Sequence, residues 1–226
     1  MIKRKLTEAD WFLIVANLLP VYGVWFEGWY AKEVFLVYCL ETIIIGFFTL
    51  IKLGIVTVIR KKDWWEYQGS KTLVSGVFFM LFFLFHYGLF IGVQTSIFLG
   101  VISFHDNNTP TILQILVHPH NYLTRDAWLL LSVFLFAYGY ENLTGFILSN
   151  DYRIKSMGRI MFEPYLRIFV QQFTVILGSF VLIFGAEKIF IMLFATIKLF
   201  FTVFIDYEGA LAKAVARKKI HLSGKQ

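Results

Sequence analysis

The lysines and arginines of this chain stand almost wholly between alternate apolar blocks, and that alternation constrains the fold more than any motif does. Six stretches are long and apolar enough to cross a bilayer, which takes a helix of about 20 residues: Trp11–Trp29, Phe35–Ile59, Leu73–Phe104, Ala127–Leu148, Tyr165–Gly185 and Ile189–Ile205. One set of flanking segments holds Lys3, Arg4, Lys5, Arg60, Lys61, Lys62, Lys71, Arg153, Lys155, Arg159, Lys213, Arg217, Lys218, Lys219 and Lys225. The other set holds Lys32, Arg125 and Lys188. Positive charge accumulates on the cytoplasmic side, so the pattern predicts an all-α polytopic transmembrane helix bundle of six spans with both termini cytoplasmic.

Composition agrees with that class. Hydrophobic residues make up 58% of the 226 residues and charged ones 16%, against roughly 45–50% and 25% in soluble domains. Six spans and their loops use up nearly the whole length, so a single transmembrane domain is expected over residues 1–226. The basic start MIKRK resembles a signal peptide, but Asn17, Pro20 and bulky aromatics follow where a small-residue cleavage site would stand. The first helix is therefore read as uncleaved. A net charge of +6 does not point to nucleic acid, because the cations sit in short clusters at span ends, where they meet anionic headgroups. Membrane lipids are the expected partners, with a homo-oligomer or a partner membrane subunit also open. The single cysteine, Cys39, lies within a span, which leaves no disulfide framework and no zinc or redox motif.

Between the spans, Lys62, Asp63, Trp64, Trp65, Glu66 and Tyr67 read as an interfacial anchor, with Trp25, Trp29 and Tyr30 serving the opposite face. The third block, about 32 residues or about 48 Å as helix, must tilt, project, or break near Gly88, Gly92 or Gly100. Within the long loop His105–Asp126, Thr111–Val117 is expected to form a short helix. The tail Glu208–Lys219 is expected to continue the last helix.

Ionisable groups inside spans cost about 2.5 to 3.5 kcal/mol each at the centre, so each needs a partner or a function. At about 1.5 Å per residue, Glu41, His86 and Lys198 reach one level near the midplane. Gln94 follows His86 on the same face, about two turns on. A second level, about 10 Å from the cytoplasmic face, holds Asn17, Lys52, Glu141, Asn142, Gln171 and Gln172, with Arg167 just below. Pairing of Glu41 with Lys198, and of Glu141 with Lys52 or Arg167, would neutralise both levels and lock the helices together. A hydrated cavity or a pathway for protons or small ions would use the same residues. His86 lacks a second intramembrane histidine, which argues against bis-histidine haem. His105, His118 and His120 with Asp106 and Asp126 read as a solvated loop rather than a metal site, and no cofactor is identifiable.

The runs Asn17–Gly23, Leu40–Gly46, Phe85–Gly88 and Glu163–Ile168, with Lys198, resemble a prokaryotic family of six-span integral membrane proteins known only as a domain of unknown function. The resemblance covers most of the chain and implies a prokaryotic, inner-membrane setting but no activity. It also implies that members often carry histidine where this chain has Gln94 and Gln172, which with His86 and Glu41 would outline a metal site. Glutamine, a poor ligand for zinc or iron, stands at both positions here. The expected function is to move or sense a small solute or ion. The alternatives are a metal-assisted intramembrane enzyme acting on a lipid-like substrate, and a scaffold subunit whose polar pairs are purely structural. Cysteines placed at Gly69 and Ser156 should label from the cytoplasm and one at Asn121 from outside; cytoplasmic labelling at Asn121 would overturn the six-span topology.

Overall fold

The computed structural model describes residues 7–67, 70–103 and 111–204. The expected tail helix over Glu208–Lys219, together with His105 and Asp106, lies outside these residues.

Thr7 caps the first helix, α1 (Glu8–Phe26), by a reciprocal pair of bonds: its Oγ1 accepts from the Asp10 amide and Asp10 Oδ2 accepts from the Thr7 amide at 2.7 Å. Gly28, at φ +73°, turns the chain into α2 (Ala31–Arg60), and Trp29 folds back on Gly23, where a Cβ would strike its ring. The helix α2 is the central element. From Val34 to Thr42 it is buried on every side, and it touches the third, fifth, seventh and eighth helices.

A β-hairpin, β1 (Lys62–Tyr67) and β2 (Ser70–Ser75), joins α2 to α3 (Gly76–Ser103). This corrects the reading of Leu73–Phe104 as one apolar block. Leu73, Val74 and Ser75 pair with Trp64, Asp63 and Lys62, and the aromatic Trp64, Trp65 and Tyr67 with the β-branched Thr72 and Val74 suit a pleated surface. The helix α3 then runs unbroken through Gly88, Gly92 and Gly100. Thr111 caps α4 (Ile112–Val117), so the short helix expected there is present, and Ile115 anchors it in the core.

The helix α5 (Arg125–Asn142) passes into a π-helical turn, Leu143–Leu148. There Leu143 N–H donates to both Gly139 and Tyr140 carbonyls, and Thr144 Oγ1 donates to Tyr140 O at 2.8 Å. After the short α6 (Asp151–Ile154), α7 (Met157–Ile183) begins well before the expected Tyr165 and carries Pro164 within it. The last helix, α8 (Glu187–Phe204), follows.

Among the described residues four helical stretches are long and apolar enough to cross a membrane: Glu8–Phe26, Ala31–Arg60, Gly76–Gly100 and Arg125–Leu148. The helices α7 and α8, of 27 and 18 residues, pack beside them. Among the described residues two apolar clusters divide the interior. The first gathers the start of α2 with α1, α5 and α8; the second joins the end of α2 to α3 and α7. Gly46 marks a close approach: a Cβ there would stand 2.5 Å from the ring of Tyr87, whose hydroxyl donates to the Thr42 carbonyl at 2.8 Å.

Candidate functional site

Glu41 is completely buried on α2, one helical turn past Tyr38. A lone carboxylate there would be prohibitive, so its two oxygens must be answered. Lys198 on α8 donates to Oε2, and the Tyr138 hydroxyl on α5 donates to Oε1 at 2.6 Å. The Lys198 ammonium in turn lies 4.6 Å from the ring centre of Tyr38, 4.9 Å from that of Phe134 and 5.8 Å from that of Phe194. Each of three helices thus contributes an aromatic ring and, three or four residues on, a polar group: Tyr38 with Glu41, Phe134 with Tyr138, Phe194 with Lys198. That spacing puts both members on one helix face. Ring faces attract a desolvated cation, so the cage holds Lys198 where its charge meets Glu41.

Tyr138 also faces a second group. A cavity of about 30 Å³ is lined by Ile45, Phe48, Thr49, Lys52, Tyr138, Glu141, Asn142, Glu163 and Pro164. A single water needs on the order of 10–15 Å³ by this measure, so the space suits a water or two or a bare small cation, not an organic substrate. Lys52 Nζ lies 3.7 Å from Glu163 Oε2 and 5.6 Å from the Phe146 ring centre. Glu163 also faces Lys155 at 3.9 Å, and Lys155 holds Asp151 at 2.9 Å. Lys52 therefore makes its ion pair with Glu163; Glu141, expected to meet Lys52 or Arg167, lines the cavity beside it, and the Arg167 side chain lies outside the described residues. The apolar block that begins at Tyr165 does not single out Glu163 as a site residue; eight residues of helix before that point bring it inside. The π-helical turn follows directly on Glu141 and Asn142, at a place where such turns often mark function.

His86 corrects the expectation of one shared cluster. Its Nδ1 meets the Tyr165 hydroxyl at 2.8 Å, with Phe82 stacked at 5.4 Å and Phe90 edge-on at 5.2 Å. The reason is angular. Tyr87 points from α3 to α2, and His86, about 100° away round the helix, points to α7 instead. Equal depth does not imply a common side.

Gln94 is buried against α2 with Nε2 3.8 Å from Cys39 Sγ, two residues from Glu41. Asn17 donates to the Leu13 carbonyl at 2.7 Å. Among the described residues no partner meets Asn17 Oδ1, Gln94 Oε1, Asn142 Oδ1 or Gln172 Oε1, all buried. The Arg167 and Gln171 side chains lie outside the described set. His118 and His120 stand exposed, ring centres 6.1 Å apart. No group of three or more His, Cys, Asp or Glu suited to a metal occurs among the described residues.

Removing one member of the buried pair leaves the other charge uncompensated. Glu41→Ala or Lys198→Ala should each destabilise the detergent-solubilised protein by about 3–5 kcal/mol. Glu41→Leu with Lys198→Met should recover much of that loss in thermal unfolding, whereas strictly additive losses would mean that the two residues act separately.

No curated protein and no solved structure matches the chain. The profile of a family of unknown function, DUF6498, matches residues 2–223, and the chain belongs to that family.

Proposed function

We propose that the chain is a multi-pass protein of the cell membrane that moves or senses protons through its buried polar core. Six helices cross the bilayer, with α7 and α8 as the fifth and sixth spans, and both termini face the cytoplasm. The observation that carries this reading is the position of Tyr138: its hydroxyl donates to the buried Glu41 carboxylate, and the same residue is one of those that line the cavity. In sequence, the cavity, Tyr138, Glu41 and Lys198 form a line of groups that can exchange a proton. Tyr138 passes its proton to Glu41 Oε1 and takes one from the cavity side, so no net charge stays on the phenol. Neutral Glu41 no longer holds Lys198, whose ammonium then weighs its aromatic cage against water. The protonation state of one carboxyl thereby sets the relation of α8 to α2 and α5.

A scaffold role asks that every buried polar atom be paired, and the amide oxygens of Asn17, Gln94, Asn142 and Gln172 lack partners among the described residues. The space beside Tyr138 also favours a proton or bare ion over a lipid-like substrate.

The test is proton uptake into proteoliposomes that enclose a pH-sensitive dye, driven by a potassium diffusion potential. Wild-type protein should acidify the lumen well above protein-free vesicles. Glu41→Gln should lower that rate at least about ten-fold, the equivalent of roughly 1.4 kcal/mol on the barrier. Tyr138→Phe should lower it too, while leaving the Glu41–Lys198 pair in place. Equal rates with and without wild-type protein, at either polarity of the potential, would overturn transport; a pair whose occupancy ignores pH would overturn sensing as well.

A further inference from the structure

The hairpin between α2 and α3 has two unlike faces. Side chains alternate across a strand, so Asp63 and Trp65 share one face with Thr72 and Val74, and Lys62 and Trp64 share the other with Leu73 and Ser75. The first face is pinned to the bundle. Asp63 Oδ2 accepts from the Met157 amide at 2.6 Å, and Trp65 lies 5.6 Å from Phe79 and 6.1 Å from Phe162 between ring centres. The second face is open: Trp64 is 61% exposed and its cross-strand partner Leu73 is 49% exposed. Exposed lysines flank this pair, Lys61 and Lys62 on one side and Lys71, whose cross-strand partner is Glu66, on the other.

The hairpin runs from the end of Ala31–Arg60 to the start of Gly76–Gly100, both long and apolar enough to span a membrane. A connection of that kind lies where two spans leave the bilayer. There an aromatic ring beside an aliphatic side chain settles at headgroup level, and lysines next to it meet phosphate. The inward face fixes the hairpin so that the outward face cannot turn away. We propose that Trp64 and Leu73, between Lys62 and Lys71, form a docking site for anionic phospholipid. The apolar pair seats against the glycerol and upper acyl region, and the two lysines bind the headgroup phosphate. Charge complementarity selects this occupant: three lysines against the single Glu66 leave the border of a two-residue apolar patch net positive, from which an apolar protein partner would gain nothing.

The inference rests on the chain's being a membrane protein and not on proton movement. The full chain is reconstituted in phosphatidylcholine bilayers with and without phosphatidylglycerol, and bromine-labelled lipids quench tryptophan fluorescence from a known depth. Subtraction of a Trp64→Phe variant isolates Trp64, while the remaining tryptophans report insertion independently. Trp64 should be quenched by bromine near the headgroup, and more strongly by labelled phosphatidylglycerol than by labelled phosphatidylcholine. Lys62→Ser with Lys71→Ser should reduce the phosphatidylglycerol preference, read by lipid retention in native mass spectrometry, by about five-fold per lysine. A Trp64 component that no lipid quenches in an inserted protein, or a preference unchanged in the double variant, would overturn the proposal.

Discussion

The structure turns on the burial of one negative charge. Glu41 has no exposed surface, and the apolar first cluster surrounds it on α2. A carboxylate in such a place persists only where a cation and further hydrogen bonds offset the loss of water. Lys198 supplies the cation and Tyr138 the hydrogen bond, and they come from α8 and α5. Three helices are therefore fixed in rotation and height by a single residue of the central one. The rings of Tyr38, Phe134 and Phe194 add a second condition, since each must present its face to the ammonium. Much of the bundle's geometry around α2 follows from meeting both conditions together.

The second cluster solves a different problem. It carries α3 and α7 against the end of α2 through apolar packing, with polar groups confined to its margins. His86 and Tyr165 satisfy each other there, Lys52 and Glu163 pair at the cavity, and Asp63 ties the hairpin to the start of α7. Tyr138 stands between the two regions. The cavity beside it offers polar groups of both charges and space for a water or a bare ion, which is why protonic exchange is the function that the geometry supports best.

The periodic apolar blocks made the helices legible, because a membrane-length run admits few other structures. Depth arithmetic brought Glu41 and Lys198 to one level, and the structure joins them. The same arithmetic failed for His86, since height along a helix carries no information on which side a residue faces. The apolar block from Tyr165 marks only part of α7, which starts at Met157 and accommodates Pro164, so Glu163 lies within the helix rather than before it. The hairpin is hard to read because Leu73, Val74 and Ser75 are as apolar or small as the helix they precede; a few aromatic and β-branched residues without alternation are a weak signal beside a long apolar run. Tyr138 gave no signal of its own among 11 tyrosines. The spacing of an aromatic ring and a polar group on α2, α5 and α8 would have singled it out.

The central claim is that Glu41 exchanges a proton with the cavity through Tyr138 rather than remaining a fixed, ionised strut. Infrared difference spectroscopy of the protein in lipid, stepped across pH, reads this directly. The account predicts loss of a carboxylate stretch and gain of a protonated carbonyl stretch in wild type, accompanied by a tyrosine ring band, with the carboxyl signals absent from Glu41→Gln and the ring band absent from Tyr138→Phe. A Glu41 carboxylate band unchanged over the whole pH range in which the protein stays folded would contradict it.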